Sequence, residues 1–357
     1  MTLQHVKKEN QQGKHGFESP AFSGETAKRG MPPRVLLIEP TIRPVGVRLL
    51  QDAVDVGFAP NGREETLIEH LSSGNFSAVI TRVEKMTRPV IEAARNLKVI
   101  GQHGVGVDNI DVSAASENGI LVLNAPTANS ISVAEHTVML ILALCRHAIE
   151  ADRAVRRGDF QHRERHIPVE LNGKTAFVIG FGRSGRETAR RLRLGFNMRV
   201  LVLDRGHSTG KIIAEGAEPV SLEEGFSEAD IVTLHVPHVA ATTHLVSREL
   251  LNRMKQGAYL INTARGAVVD QAALAEVLMD GKLAGAGLDV FDPEPPAPDT
   301  PLMQLPNVIV SPHIAGETVE AKDRCSRLIA SQVLAAVRGQ LPEHIVNQDV
   351  LASRIAA

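Results

Sequence analysis

The sequence predicts an α/β protein with two domains, each built on a doubly wound parallel sheet. Short β-branched runs alternate with helix-like stretches along most of its 357 residues, which is the pattern of parallel strands joined by crossover helices. The runs form two series separated by a long apolar helical stretch. Because a chain of this length can build two separate cores, we expect two sheets with a cleft between them.

The first series begins at Arg34, and its strand-like runs are VLLIEP, FSAVITR, LKVIGQHG and GILVLNAP. The preceding residues, 1–33, are polar and lack periodicity, which predicts a mobile N-terminal tail. A continuous helical pattern from Ser132 through Ala154 follows the first series.

The second series begins at Thr175, and its runs are TAFVIGFG, RVLVLDR, DIVTLHVP, AYLINTAR, GAGLDVF and NVIVSPH. The last helical pattern, Val319 to Val337, has no strand after it, so we expect it to return to the first domain. These limits predict a discontinuous first domain, 34–130 and 318–351, and a second domain, 131–317.

Composition excludes several classes of function. A net charge of -2, no Trp and a single Tyr argue against nucleic-acid binding, which uses basic surfaces and stacking aromatics. The longest apolar run, VMLILALC, is far shorter than the roughly 20 residues of a membrane span. Cys145 and Cys325 lie in apolar, helix-like contexts without metal-ligand spacing, so we expect no metal site. Without disulfides or a secretory signal, we expect a cytoplasmic protein.

A glycine-rich turn follows the first strand of the second series. Gly180, Gly182 and Gly185 form GxGxxG between an apolar run and a helical pattern. In that context the first glycine makes the tight turn, the second lets the backbone approach a pyrophosphate, and the third lets helix and strand pack closely. The turn therefore predicts a Rossmann-like dinucleotide site with the phosphates at a helix N-terminus.

An acidic residue, Asp204, ends the next run, RVLVLD. A carboxylate there accepts hydrogen bonds from a ribose diol and repels a 2′-phosphate, so the sequence predicts NAD rather than NADP as cofactor. The neighbouring Arg205 leaves residual use of NADP open.

Four polar side chains follow later strands of the same series. Arg265 ends one apolar run, Asp289 and Glu294 follow another, and His313 ends the last. Singly, each has an ordinary interpretation as a surface ion-pair partner, a solvated acid or a core histidine. Because the carboxyl ends of parallel strands meet at one edge, their combination predicts a catalytic site.

The segments GFGRSG, NTARG, LDVFDPEP and SPHIAG resemble the signature segments of the D-isomer-specific 2-hydroxyacid dehydrogenase family, with its 3-phosphoglycerate dehydrogenase branch nearest. The resemblance extends from about Arg34 to Leu351 and includes GVGVDNIDVSAASENGI and NSISVAEHT. It implies a flavodoxin-like substrate domain, an NAD-binding domain and hydride transfer between a 2-hydroxy acid and a 2-oxo acid. It also implies a short form without a regulatory C-terminal domain.

The same resemblance assigns catalytic roles to Arg265, Glu294 and His313. His313, as imidazolium, would protonate the keto oxygen in one direction and act as base in the other. Glu294 would hold the other ring nitrogen and raise the pKa of the histidine. Arg265 would bind the oxo acid with two donors and polarise its carbonyl.

The resemblance further implies a set of binding residues. The backbone at Val105 and Gly106 would bind the substrate carboxylate. Around the dinucleotide, the implied residues are Gly180, Gly182, Gly185, Arg183 and Ser184 at the pyrophosphate, Asp204 at the ribose, Val236 at the adenosine, Thr263, Ala264 and Asp289 at the carboxamide, and Gly316 closing the pocket. Ser184 departs from the family, which usually has Ile at this position.

The sequence leaves the substrate open. Arg82, Lys85 and His103 are the cations that could hold a phosphate, but the phosphoglycerate branch usually has its Arg one position earlier, at Thr81. The pattern favours 3-phosphoglycerate only slightly over glyoxylate or hydroxypyruvate.

Two other functions fit the same fold. Formate dehydrogenases have Gln in place of the catalytic Glu, so the presence of Glu294 argues against formate dehydrogenase activity. A dinucleotide-sensing corepressor retains the catalytic residues and stays an alternative. The apolar helical pattern from Ser132 to Ala154 predicts a homodimer, unless it is buried within its own chain.

Overall fold

The computed structural model of the protein describes residues 32–39 and 42–351. The predicted mobile tail, residues 1–33, lies outside the described residues apart from its last two positions, and it stays a prediction.

Five parallel strands form the first sheet. They are β1 (Arg34–Ile38), β2 (Asp55–Ala59), β3 (Ala78–Thr81), β4 (Val99–Gln102) and β5 (Leu121–Leu123). The helices between them are α1 (Pro44–Gln51), α2 (Glu64–Ser73), α3 (Arg88–Ala93) and α4 (Val112–Glu117). The strand order β2-β1-β3-β4-β5 is that of flavodoxin-like sheets, which confirms the predicted fold class for this domain.

The sequence analysis did not predict strand β2. It lies at the edge of the sheet and pairs only with β1 among the described strands. Four of its five residues are at least partly exposed, and its sequence DVGFA has no continuous apolar run. An edge strand needs no such run because it is not covered on both faces.

The predicted helix from Ser132 through Ala154 is wrong as a single element. The structure has α5 (Ser130–Cys145), α6 (Ala148–Arg156) and α7 (His162–Arg165), and the axis bends by 56° between α5 and α6. The break lies at His147, whose φ of 49° is left-handed and cannot continue a helix. Within the described residues no single helix is long and apolar enough to cross a membrane; by length and composition, only the bent pair α5–α6 passes.

Seven parallel strands form the second sheet. They are β6 (Thr175–Ile179), β7 (Arg199–Leu203), β8 (Glu218–Pro219), β9 (Ile231–Leu234), β10 (Ala258–Asn262), β11 (Leu283–Leu288) and β12 (Val308–Val310). The helices are α8 (Arg183–Phe196), α9 (Thr209–Ala214), α10 (Leu222–Glu228), α11 (Arg248–Arg253), α12 (Gln271–Met279) and α13 (Pro301–Gln304), with short 3-10 helices at Ala240–Thr242 and Gly266–Val268. The order β12-β11-β10-β9-β6-β7-β8 reverses direction beside β6, as in a Rossmann sheet.

The last helix, α14 (Val319–Val337), returns to the first sheet as its sequence predicted. Ile329, Ala330 and Val333 are fully buried in one core with Val35 and Leu37 of β1. Thr318 caps the helix by accepting a hydrogen bond from the backbone N–H of Ala321 at 3.1 Å. The chain therefore crosses between the two sheets twice, before α5 and before α14.

The two crossings bring the carboxyl ends of both sheets to one cleft. The loops after β3 and β4 face it from the first sheet, and those after β10, β11 and β12 face it from the second. Ligands of open α/β sheets bind at such carboxyl ends, beside the point where the strand order reverses.

Replacing Ile329 by Ala is expected to lower the free energy of unfolding of the first domain by about 2–5 kcal/mol, because it leaves a cavity in a packed core. Val319→Ala, on the same helix but 58% exposed, is the matched control and is expected to change it by less than about 0.5 kcal/mol. Urea unfolding followed by circular dichroism measures both. Equal effects of the two variants would show that α14 is not part of that core.

Candidate active site

The cleft between the two sheets holds a cavity of about 310 Å³. Arg82, Val105 and Gly106 line it from the first sheet, and Arg265 and His313 line it from the second. Residues far apart in the sequence are therefore brought together by strand ends, as the sequence predicted.

His313 and Glu294 form an ion pair at this cavity. The Nδ1 atom of His313 donates to Oε2 of Glu294 at 2.9 Å, and the other carboxylate oxygen accepts from the backbone N–H of Phe291, also at 2.9 Å. The bond to Glu294 raises the pKa of His313 above its ordinary value and outweighs partial burial, which opposes the charged form. Burial opposes ionisation of Glu294 as well, but its hydrogen bonds hold its pKa below the usual range. The pair thus favours the protonated imidazole. Glu294 binds Nδ1 of this ring and leaves Nε2 unbound by the pair.

The backbone at His313 adopts a left-handed conformation, with φ at 55°. Buried Asp289 holds the turn that follows: its Oδ1 accepts from the N–H of Ile314 at 2.9 Å and its Oδ2 from that of Ala315 at 2.8 Å. Ser311 Oγ donates to Oδ1 at 2.5 Å, and the backbone oxygen of Asp289 accepts from the N–H of His313 at 2.8 Å. Left-handed backbone in a non-glycine residue is unfavourable, and these bonds stabilise it here.

Arg265 crosses the cleft to the first domain. Its Nε donates to Oδ2 of Asp108 at 3.0 Å, and its Nη1 donates to the backbone oxygen of Ala264 at 2.7 Å. Its Nη2 has no hydrogen-bond partner in the described part of the chain. This atom lies close to the backbone of Gly106, since a Cβ added to that glycine would be 1.8 Å from Nη2. A donor is therefore free beside the Gly106 backbone.

The sequence analysis did not identify two residues that position Arg265. Asp108 lies in GVGVDN, which was interpreted only as a turn and a backbone site. Asn262 holds the loop itself, because its side chain accepts from the N–H of Ala264 and donates to the backbone oxygen of Arg265. Its place at the end of β10, three positions before Arg265, is the sequence signal that could have marked it.

The loop at Val105 and Gly106 presents backbone donors to the cavity. Neither N–H group donates to a protein acceptor within residues 32–39 and 42–351. Asn124 anchors the loop from the next strand by donating to the backbone oxygen of Val105 at 2.7 Å. Two unpaired N–H groups and the unpaired Nη2 of Arg265 therefore belong to residues that line the same cavity.

The glycine turn after β6 has the shape of a pyrophosphate cradle. Gly180 has a φ of 93°, and a Cβ at Gly185 would lie 1.9 Å from the backbone oxygen of Gly180. At Gly182, in contrast, a Cβ would meet nothing within 4 Å. The turn is therefore tight on its inner side and open where a ligand would approach. Helix α8 begins at Arg183 and Ser184 with no side chain capping its first N–H groups, so they are free to bind an anion.

Asp204 closes the other side of this turn. Its Oδ1 accepts from the N–H of Phe181 at 2.8 Å, while Oδ2 accepts from the N–H groups of Gly206 and His207 and from His207 Nδ1. Burial opposes its ionisation, but these donors hold the pKa of Asp204 below its usual range. Oδ1 carries one bond only and keeps a lone pair for a ribose hydroxyl. The sequence analysis did not predict the contact between Asp204 and His207. The side chain of Arg205, next to Asp204 in the chain, is exposed.

The other expected cofactor residues lie along the same crevice. Val236 contacts the glycine turn, since its Cγ1 lies 2.9 Å from a Cβ added at Gly180. Thr263 is bonded to Thr137 Oγ1 at 3.0 Å, and Gly316 packs against Asn129. Thr263, Asp289 and Gly316 line the cavity, whereas the contact that each makes with a cofactor stays a prediction. Ala264 is mostly buried and supplies the backbone oxygen that holds Arg265.

The three cations considered for a phosphate differ in the structure. Arg82 lines the cavity but is paired with Glu317. The His103 ring is buried and bonded to Ser326 Oγ at 2.9 Å, and burial together with Arg82 lowers the pKa of His103 to about 4, so the ring is neutral at neutral pH. Lys85 is exposed and does not line the cavity.

Comparisons with known proteins give the family of the chain. Residues 138–315 match the family model described as D-isomer specific 2-hydroxyacid dehydrogenase, NAD binding domain. A D-3-phosphoglycerate dehydrogenase of Archaeoglobus fulgidus is 39% identical over 315 residues, which are 88% of this chain and 59% of that protein. The chain thus spans less than two thirds of that relative's length.

Shorter relatives are covered almost completely. A glyoxylate reductase of Thermofilum pendens is 39% identical over 87% of this chain and 93% of its own length. A crystal structure of a Thermus thermophilus protein superposes with a TM-score of 0.80 and 36% identity, covering 88% of this chain and 99% of the other. On these matches, the cofactor of the second domain is NAD, and the chain belongs to the D-isomer-specific 2-hydroxyacid dehydrogenase family.

Proposed function

We propose that the protein is an NAD-dependent oxidoreductase that interconverts a 2-hydroxy acid and the corresponding 2-oxo acid. The observation that carries the proposal is the His313–Glu294 pair, whose His313 lines one cavity with Arg265, Val105 and Gly106. Proton donor, cationic clamp and carboxylate site are thereby assembled next to a dinucleotide cradle.

The substrate carboxylate would bind the N–H groups of Val105 and Gly106. Arg265 would add its free Nη2 and polarise the 2-oxo group, which develops negative charge in the transition state. Asp108 holds the guanidinium on the first domain, so the clamp spans both walls of the cleft.

The cofactor would be held by the glycine turn at Gly180, Gly182 and Gly185, by the first N–H groups of α8 and by Asp204. A nicotinamide held there would supply the hydride chemistry at C2 of the acid in both directions. His313 supplies the balancing proton from Nε2 to the oxygen on C2, because its Nδ1 is engaged by Glu294. In the reverse direction the neutral ring takes that proton back.

Either of two substrate classes fits this chemistry, 3-phosphoglycerate or a short acid such as hydroxypyruvate or glyoxylate. We further propose domain limits of 34–130 with 318–351 and 131–317, because the core of the first sheet includes α14. A cytoplasmic location is supported by two free, buried cysteines, and the near-neutral net charge of -2 supports the absence of a nucleic-acid partner.

The first test follows the loss of NADH absorbance with glyoxylate, hydroxypyruvate, pyruvate and 3-phosphohydroxypyruvate. Turnover with at least one acid is expected, and His313→Ala is expected to lower kcat/KM about 10²- to 10⁴-fold, the contribution of a general acid. His70→Ala, on α2 and outside the cavity lining, is the matched control. Binding of NADH without turnover of any acid would contradict the proposal and favour the dinucleotide-sensing alternative.

The pH profile tests the role of Glu294. Reduction needs the imidazolium form of His313, so its kcat/KM is expected to fall as pH rises through a pKa above the ordinary histidine value. Oxidation needs the neutral ring and is expected to rise through the same pKa. Glu294→Gln removes the largest cause of the raised pKa, so both midpoints move to lower pH.

Asp299→Asn removes a charge from the same loop, at an exposed position, and is the control for this profile. If it moves the midpoints as far as Glu294→Gln does, the shift reflects general charge and not the His313–Glu294 bond.

A homodimer is also proposed, on evidence different from that used for the sequence. Several apolar residues of α5 are buried in the core of their own sheet, including Leu140, Ile141 and Leu144, so its composition alone no longer argues for a partner. The support comes from side chains left exposed where α5 packs on α8: Ile131 and Met139 are 45% exposed, and Leu194 is 63% exposed. Leu194 lines a hollow together with Val138 of α5, which a second copy would cover.

Sedimentation is expected to show a dimer at micromolar concentration and a monomer for Leu194→Glu, because a charge cannot be buried unpaired at that face. Met279→Glu, at a 57% exposed position on α12, is expected to remain a dimer. A monomeric native protein would remove the proposal.

A further inference from the structure

Glu317 introduces a negative charge at the cavity, and the proposed reaction does not use it. It follows His313 by four positions, lines the cavity, and its Oε2 contacts Nη2 of Arg82 and, at 2.7 Å, Nζ of Lys322. The side chains of Arg82 and Glu317 are only 28% and 27% exposed. One carboxylate oxygen therefore pairs with two cations at the cavity wall and offsets one of their two positive charges.

This pairing changes what the wall offers to a substrate. Among the three phosphate candidates, Arg82 alone places a charged group at the cavity. Lys85 does not line the cavity, and the buried His103 ring is hydrogen-bonded to Ser326. With Arg82 held by Glu317, a phosphate would have to displace a carboxylate and then lie beside it. Like charges brought together in a partly dehydrated cleft cost several kcal/mol.

The carboxylate of a substrate need not break an ion pair, because Arg265 is bound to Asp108 through Nε and keeps its Nη2 free. Arg265 Nη2 and the N–H groups of Val105 and Gly106 have no protein acceptor among the described residues. The cleft thus offers free donors to one anionic group and a paired cation to a second.

We propose that Glu317 is a specificity-determining residue that excludes a second anionic group, so that the substrate is a short 2-oxo acid such as hydroxypyruvate or glyoxylate and not a phosphorylated one. This inference rests on the proposed oxidoreductase function. The Arg82–Glu317 pair leaves a small neutral group on C3 free to enter and repels a phosphate at the same position.

The test compares hydroxypyruvate with 3-phosphohydroxypyruvate, which differ only in the phosphate. The native protein is expected to prefer hydroxypyruvate in kcat/KM by about tenfold or more, the factor that corresponds to at least one unfavourable charge contact. Glu317→Gln is expected to reduce this ratio about tenfold, since Arg82 and Lys322 lose their carboxylate and face the phosphate.

Two further variants separate charge from folding. Glu317→Asp keeps the negative charge and is expected to retain the preference for hydroxypyruvate. Glu320→Gln removes an exposed carboxylate three positions further along, on α14, and is the matched control, with the native ratio expected. High salt is expected to weaken the preference of the native protein, because the repulsion is electrostatic.

Equal or greater kcat/KM with 3-phosphohydroxypyruvate in the native protein would overturn the inference while leaving the oxidoreductase function in place. An equal change of ratio in Glu317→Gln and Glu320→Gln would also overturn it. If Glu317→Gln does not fold, the native ratio alone decides. Absence of turnover with every 2-oxo acid would remove the proposed function itself, and this inference with it.

Discussion

The buried carboxylate of Asp289 is the interaction on which the site depends. It is fully shielded from solvent, and a buried carboxylate is costly unless donors surround it. The donors come from Ser311, Ile314 and Ala315, on both sides of His313. The same bonds that satisfy the charge therefore bend the backbone into its left-handed turn and direct the imidazole toward Glu294 and the cleft. A role for Asp289 at the cofactor is compatible with this structural one but distinct from it.

Charged side chains at the cleft form ion pairs, and two of these ion pairs connect the two domains. Arg265 reaches Asp108 across the cleft, and Arg82 meets Glu317 at the crossing into α14. The Arg265–Asp108 pair is largely exposed on the carboxylate side and leaves Nη2 of Arg265 free, so a substrate binds there without breaking it. The Arg82–Glu317 pair is more shielded, which makes an exchange less favourable there. The difference between these two pairs is the physical basis for selecting substrates with a single anionic group.

Patterns with a local physical cause were readable in the sequence. The glycine turn requires Gly at 180 and 185, where a Cβ would clash with backbone. Strands covered on both faces require continuous apolar runs, so β6 and its neighbours were evident. The edge strands β2 and β8 were not, because a strand covered on one side needs no such run. The break between α5 and α6 was also hidden, since a left-handed residue at His147 leaves no signature in an apolar pattern.

The sequence by itself determined the two α/β domains and the dinucleotide turn, and it predicted Arg265, Glu294 and His313 as catalytic residues, because these depend on periodicity and on motifs of adjacent residues. Only the tertiary structure decided which charges neutralise one another. Asp108 and Arg265 are separated by 157 positions, and Arg82 and Glu317 by 235, so nothing local connects them. Whether a cation at the cleft is free for a substrate or already paired depends on how the two sheets are placed, and that placement is a property of the folded chain alone.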